Sequence, residues 1–191
     1  EGWIIKVMEK IVISVVGRDR PGIVAAVSRI LFEQSCNIEN VSQTIQQGEF
    51  AALFIAAMPE NLSQSDLLSL LKDGLRSLDL EVLLKPLSPA DDASEHLAGS
   101  PFVLTTTGSD RLGLVAGVTE VLAQYHVNIT TLRAVFRGGD DPSRNTMIYE
   151  VDIPAAVDFK QFRDALQQRA LELGLSLNLQ HRDVFESIHR I

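Results

Sequence analysis

Hydrophobic side chains in the first half of the chain follow two periods that alternate along the sequence. Short apolar runs rich in β-branched residues predict strands, and stripes at helical spacing predict helices that bury one face. Gln47-Gly48 predicts a turn, and Ser63 or Ser65 is suited to cap the second helix. In chain order, the predicted elements are a strand at 11–16, a helix at 23–34, strands at 38–46 and 50–58, a helix with apolar positions Leu67, Leu68, Leu71, Leu75 and Leu78, and a strand at 80–85.

The second half of the chain repeats this pattern. Residues 12–27 read VISVVGRDRPGIVAAV and residues 103–118 read VLTTTGSDRLGLVAGV, so the offset is 91 residues. It holds without a gap as far as Asn37-Ile38 and Asn128-Ile129. The predicted elements of this half are a strand at 102–107, a helix at 114–125, strands at 128–137 and 145–153, a helix capped by Asp158, and a strand at 175–182. The chain is therefore two copies of one module.

The order β-α-β-β-α-β, occurring twice, predicts an α+β fold of two ferredoxin-like modules. Each has a four-stranded antiparallel sheet with two helices on one face. We place the first domain at 1–86 and the second at 102–191, joined by a linker at 87–101 that is rich in Pro, small residues and acids. Residues 1–7 precede Met8 and receive no functional weight, as an upstream start or an extension of cloning origin.

The third predicted strand, residues 50–58, is apolar on both alternating faces. Strands of this kind are usually buried on both sides. We therefore expect the two modules to pack on each other or on a second chain. An uncovered sheet face is also compatible with a homodimer.

Composition excludes several classes of function. The 191 residues carry 17 Lys and Arg against 25 Asp and Glu, a net charge of −8. This balance argues against direct binding to nucleic acid or to an anionic membrane, and no apolar run reaches the length of a membrane span. The lone Cys36 excludes an intramolecular disulfide and a thiolate zinc site, so we expect a reducing, cytoplasmic location. The four histidines are scattered, and we expect no catalytic residue, no metal and no cofactor.

The turn at residues 17–22 joins a strand to the start of a helix, where free N–H groups favour an anion such as a carboxylate. Gly22 lets a ligand approach the backbone closely, and Pro21 suits a turn or the first helical position. Asp19 offers an acceptor, and Asn37 offers a donor and an acceptor. A free α-amino acid fits these groups. The alternatives are that Asp19 only caps the helix, Gly22 only serves the turn and Asn37 only closes the next turn.

Asp-Arg-Pro-Gly after a strand, followed by a helix and Asn-Ile, resembles the ACT domain. This is a small ferredoxin-like module that regulates amino-acid metabolism by binding amino acids. The resemblance implies that Asp19 and Asn37 contact the ligand and that the backbone around Gly22 binds its carboxylate. Gly17 stands where some serine-binding members carry a His, so serine specificity does not carry over. The candidate ligand-binding residues are Asp19, Arg20, Pro21, Gly22, Ile23 and Asn37 in copy one and Asp110, Arg111, Leu112, Gly113, Leu114 and Asn128 in copy two.

A chain of two ACT domains and little else is similar to the glycine cleavage system transcriptional repressor family. That family acts on a DNA-binding activator through protein contact and does not bind DNA alone. The resemblance implies a regulatory protein, not an enzyme, that responds to a small amino acid such as glycine or a serine-like one. Its implied protein partner is a DNA-binding transcription factor. The alternatives are an interaction module that binds no ligand and a detached regulatory subunit of a metabolic enzyme.

Overall fold

The computed structural model describes residues 9–87, 99–136 and 145–189. The chain falls into two compact units, Glu1–Ser94 and Glu95–Ile191. Each unit contains one four-stranded antiparallel sheet with helices packed on it, in the order β-α-β-β-α-β. The predicted α+β class with two ferredoxin-like modules is therefore confirmed.

In the first unit the strand order is β2-β3-β1-β4. Its elements are β1 Glu9–Arg18, α1 Ile23–Glu33, β2 Asn37–Gln46, β3 Glu49–Met58, α2 Gln64–Leu75 with a 3-10 turn at Arg76–Leu78, and β4 Leu80–Pro86. Alternate residues of β1 and β3 face the helices and form the core, in which Ile13, Phe54 and Leu31 are completely buried. Burying each such side chain contributes about 1.5–3 kcal/mol. Ser63, not Ser65, caps α2 by accepting the Asp66 N–H at 3.1 Å.

The second unit has the matching strand order β6-β7-β5-β8. Its elements are β5 Gly99–Gly108, α3 Leu114–Gln124, β6 Asn128–Phe136, β7 Asn145–Pro154, α4 Phe159–Glu172, β8 Ser176–His181 and α5 Arg182–His189. Asp158 caps α4 as predicted, since its side chain accepts the N–H groups of Lys160 and Gln161 at 3.0 and 3.1 Å. Phe162 and Leu166 bury the inner face of this helix.

Most boundaries lie within one or two residues of the sequence-based expectation, and two differences change how a segment is assigned. The strand predicted to run to residue 182 ends at His181, and α5 follows directly. Strand β5 begins at Gly99, inside the segment predicted as linker. Pro101 signalled a loop, but β8 pairs with β5 only from Phe102 onward, so Pro101 breaks no hydrogen bond with that strand. Residues 1–7, residues 88–98 of the predicted linker and the segment 138–144 between two predicted strands lie outside the described residues.

The sheet face opposite the helices of the first unit retains apolar exposure. Val16, Leu53 and Leu83 are 47%, 50% and 60% exposed. The expectation that this face packs on another surface stays a prediction. In the described part of the chain, no helix combines the length and apolar character needed to cross a membrane.

Candidate ligand-binding loops

The loop before α1 leaves a set of backbone donors free. Gly22 is the N-cap residue and has a φ of 96°, a conformation that favours glycine. The first helical hydrogen bond is donated by the Ala26 N–H to the Gly22 carbonyl at 2.9 Å. The N–H groups of residues 23–25 have no hydrogen-bond partner among the described residues. This helix start therefore offers the donors and the partial positive charge that suit a carboxylate.

Asp19 does not cap this helix, so that structural alternative is wrong. Among the residues that the structure describes, no side chain makes a capping hydrogen bond at the start of α1. The backbone N–H of Asp19 donates to the carbonyl of Gly48 at 2.8 Å, which ties the loop to the hairpin turn between β2 and β3. Its exposed carboxylate makes no hydrogen bond to any described residue. Pro21 lies in the turn before Gly22, one residue outside the helix cap, and does not occupy the first helical position.

Asn37 does not close the turn between α1 and β2. The residue with positive φ there is Ser35, at 57°, and backbone hydrogen bonds from Ser35 and Cys36 complete the turn. Asn37 is the first residue of β2, and its exposed side chain has no hydrogen bond to another described residue. In the second unit His126, with a φ of 55°, takes the role of Ser35 and Asn128 begins β6. Neither asparagine is therefore needed for its turn, and both side chains remain available to contact a ligand.

Packing explains why glycine lies near the end of β1 and at the end of β5. A Cβ atom built on Gly17 would lie 3.0 Å from the carbonyl oxygen of Asp79 and 2.8 Å from a methyl carbon of Leu80. A Cβ atom on Gly108 would lie 2.9 Å from the carbonyl oxygen of Gly174. A His at either position would displace the backbone at the start of the neighbouring strand. Glycine at residue 17 avoids this close contact.

The second unit has an equivalent loop with different side-chain contacts. Gly113 caps α3 with a φ of 87°, and the N–H groups of residues 114–116 have no partner among the described residues. Arg111 donates from Nη2 to the carbonyl of Glu172 at 3.1 Å, at the end of α4, where a cation is favoured. Leu112 is fully exposed. Arg111 thus anchors the loop, whereas the guanidinium of Arg20 in the first unit pairs with no described residue.

One residue of this loop region escaped the sequence analysis. Asn145, the first residue of β7, is only 7% exposed, and its Nδ2 donates to Oδ1 of Asp110 at 3.1 Å. Its own Oδ1 is buried and has no hydrogen-bond partner among the described residues. Asn145 pairs with Gly108, and Phe50 holds the matching position opposite Gly17. The signal in the sequence that could have identified Asn145 is that the matching position of the first copy holds Phe50.

The interior of the second unit carries further polar groups near this end of the sheet. Thr106 and Tyr149 are buried where the first unit has the apolar Val15 and Phe54. Burial raises the pKa of the Tyr149 hydroxyl, and a hydrogen bond with Thr106 partly opposes this shift. Within the described ranges, no three His, Cys, Asp or Glu side chains are grouped so that they could hold a metal ion. The two units thus have the same backbone fold but differ in the polarity of the buried side chains near the loop.

Comparison with known proteins agrees with this architecture. A model of the ACT domain matches residues 9–85 and 100–180. A UPF0237 protein of Methanosarcina acetivorans is 36% identical over 96 residues, which are 50% of this chain and 100% of the relative. A UPF0237 protein of Methanococcus maripaludis is 39% identical over 90 residues, 47% of this chain and 96% of the relative. These relatives have the length of one module.

Two solved structures share the fold over most of the chain. A protein described as unknown from Galdieria sulphuraria has a TM-score of 0.74 and 24% identity, covering 91% of this chain and 98% of its own. A candidate glycine cleavage system transcriptional repressor has a TM-score of 0.68 and 23% identity, covering 91% of this chain and 97% of its own. At these identities the likeness shows the fold. The two matched segments establish that the chain belongs to the ACT domain family and is a regulatory protein built from a tandem pair of ACT domains.

Proposed function

We propose that this protein senses a small amino acid at the loops that precede α1 and α3 and transmits its presence to a partner protein. The observation that supports this most directly is the composition of the loops. Each places three N–H groups without described partners beside an aspartate, Asp19 or Asp110. An α-amino acid carries the complementary pair of charges on adjacent atoms.

The chemistry of each loop matches the two ends of a zwitterion. The ligand's carboxylate accepts hydrogen bonds from the helix N–H groups, and its ammonium donates to the aspartate. Asn37 and Asn128 begin the strands that follow the two helices and offer amide groups with no competing hydrogen bond in the described structure. A hydrogen bond to a charged group contributes about 1.5–3 kcal/mol, so a few of them can hold a small ligand.

Signal transmission requires a second binding event. A ligand changes the affinity for a partner only if it binds two arrangements of the protein differently, and useful coupling is on the order of 1–3 kcal/mol. A net charge of −8 disfavours direct contact with DNA. The fold shared with a candidate glycine cleavage system transcriptional repressor supports a DNA-binding regulator as the partner and glycine or a serine-like amino acid as the signal.

The setting of this function is also part of the proposal. We place the protein in the cytoplasm, where the free, buried Cys36 stays reduced. The exposed apolar residues on the sheet face of the first unit support a homodimer. Light scattering of the purified chain would then give twice its mass of 21.0 kDa, and a mass of one chain would contradict the dimer without affecting ligand binding.

Thermal unfolding against the twenty common amino acids tests the sensing function. An amino acid at about 100 times its Kd stabilises the folded state by roughly 2.7 kcal/mol, which raises Tm by several degrees. Glycolate, which lacks the ammonium group of glycine, is the matched control and should give a smaller shift. If no amino acid raises Tm, the protein is not a sensor of these ligands, and the interaction-module alternative is favoured.

The predicted ligand contacts can be separated from structural roles by substitution. Asp19→Ala and Asn37→Ala remove side chains that make no hydrogen bond to described residues, so Tm without ligand should stay unchanged. The same holds for Asn128→Ala. A weaker ligand-induced shift in any of these variants assigns the residue to the site. Capture of the partner with and without the active amino acid then tests the coupling.

A further inference from the structure

We propose that the loop of the second unit is the working amino-acid site, and that Asn145 completes its ammonium-binding end together with Asp110. This inference rests on the proposed sensing function and deepens it. It names the competent copy and a specificity residue outside the repeated loop motif.

The first observation is the position of the Asn145 amide. Only 7% of the residue is exposed, and its Nδ2 lies 3.1 Å from Oδ1 of Asp110. The amide group therefore faces the loop that precedes α3. Its carbonyl oxygen is buried and finds no donor among the described residues. A buried acceptor without a donor is rare in native proteins and destabilises the fold that contains it.

The second observation is that the fold does not need a polar residue at this position. The matching residue of the first unit is Phe50, which is 2% exposed and packs in the apolar core. Both residues pair with the final glycine of the central strand, Gly17 or Gly108. An apolar side chain satisfies this environment in one copy of the repeat. The amide in the other copy therefore points to a role in recognition.

The chemistry of the pair selects a cationic donor. Asp110 contributes a carboxylate and Asn145 a carbonyl oxygen, so the two side chains present acceptors with one negative charge. An ammonium group has three donors and can bridge them, while the N–H groups of residues 114–116 receive the carboxylate of the same molecule. In the first unit Phe50 occupies the position that matches Asn145, and no hydrogen bond joins the Asp19 carboxylate to a described side chain. The second loop therefore recognises the ammonium with one acceptor more than the first.

Access to the buried oxygen requires a small movement of the loop. Residues 109–113 are exposed throughout, so the core does not hold their side chains in place. Arg111 fastens the loop by a single hydrogen bond to the end of α4. A ligand that enters beside Asp110 can shift this segment and exchange the Asn145–Asp110 hydrogen bond for bonds to its own ammonium.

Calorimetric titration of the full chain with each of the twenty common amino acids tests this assignment. The amino acids that bind wild-type protein are then titrated into Asn145→Leu and into Phe50→Leu, the matched change in the first unit. We expect one ligand per chain, roughly a tenfold to hundredfold loss of affinity in Asn145→Leu, and unchanged affinity in Phe50→Leu. Asn145→Leu should unfold at a temperature equal to or above that of the wild type, since it removes an unpaired buried acceptor.

A second pair of variants keeps the test decisive if Asn145→Leu fails to fold. Asp110→Asn preserves the volume of an exposed side chain and removes its charge, so it should weaken binding by a similar factor, whereas Asp164→Asn, the same change at an exposed position of α4, should not. Retained affinity in both Asn145→Leu and Asp110→Asn, with loss in Asp19→Asn, overturns the assignment to the second unit and leaves amino-acid sensing intact. No binding of any amino acid to wild-type protein overturns the sensing function and this assignment together.

Discussion

Substitution of the glycine at the start of α1 tests whether the loop backbone is held at a positive φ. Gly22 has a φ of 96° and a ψ of −5°, and a Cβ atom placed on it would meet nothing within 4 Å. Gly22→Ala therefore creates no clash, and its effect isolates the backbone conformation. Gly113→Ala is the matched variant in the second unit, with a φ of 87° and the same open surroundings.

The expected cost follows from two opposing contributions. Holding an L-residue at positive φ costs about 1–2 kcal/mol. Alanine also lowers the conformational entropy of the unfolded chain, which returns about 0.4–1 kcal/mol. Gly22→Ala should therefore lower the free energy of unfolding by about 1 kcal/mol. Asn tolerates positive φ better than Ala, and the β-branched Val tolerates it worse, so destabilisation should increase in the order Asn, Ala, Val.

Urea unfolding followed by circular dichroism measures this order. With m values of about 1–3 kcal/mol/M, Gly22→Ala should lower the midpoint of the affected transition by roughly 0.3–1 M at unchanged m. Gly113→Ala should do the same for the transition of the second unit. If Gly22→Val is as stable as the wild type, residue 22 is not held at positive φ. The N–H groups of the helix start would then not be arranged as the proposed site requires.

Three further predictions concern single side chains. Asp158→Ala should lower the stability of the second unit by about 1 kcal/mol in urea unfolding, because two N–H groups of α4 lose their acceptor. Asp158→Ser should retain most of the stability of the wild type. Equal losses of stability in both variants would contradict the capping role. Burial raises the pKa of Tyr149, and an unfolded tyrosine ionises at about pH 10. The unfolded state therefore releases this proton first, so stability should fall as the pH rises above that value, and Tyr149→Phe should show a shallower decline in alkaline urea titrations. Burial also raises the pKa of the Cys36 thiol, so a disulfide reagent should modify it slowly in native protein and fast in urea; equal rates would show that the thiol is accessible.

The periodicity of the sequence was sufficient to predict the β-α-β-β-α-β elements of each unit and their order. The burial of alternate residues along most of β3 and of every fourth residue in α1 depends on neighbours along the chain, so the pattern of apolar positions predicts it. The caps Ser63 and Asp158 are local for the same reason, since each bonds to N–H groups within three residues. The repeat then implied that both halves share one fold.

Periodicity did not reveal α5. Residues 182–189 form a helix too short to be stable by itself, and α5 contacts β5 and β8. Pairing with β7 likewise places Gly99 to Pro101 in a strand although the proline signalled a loop. In both cases, contacts between segments distant in sequence outweigh the local preference of the residues.

The features of the candidate site fall into the same two groups, those that local sequence determines and those that tertiary contacts determine. The sequence by itself determined the loop motif, its duplication and the helix start that offers free N–H groups, because these depend on consecutive residues. Only the tertiary structure decided that Asn145 reaches Asp110, 35 positions away, and that Arg111 reaches Glu172, 61 positions away. Sheet pairing and helix packing bring these groups together, and neither contact leaves a period in the sequence. The two loops are therefore alike in sequence and different in chemistry.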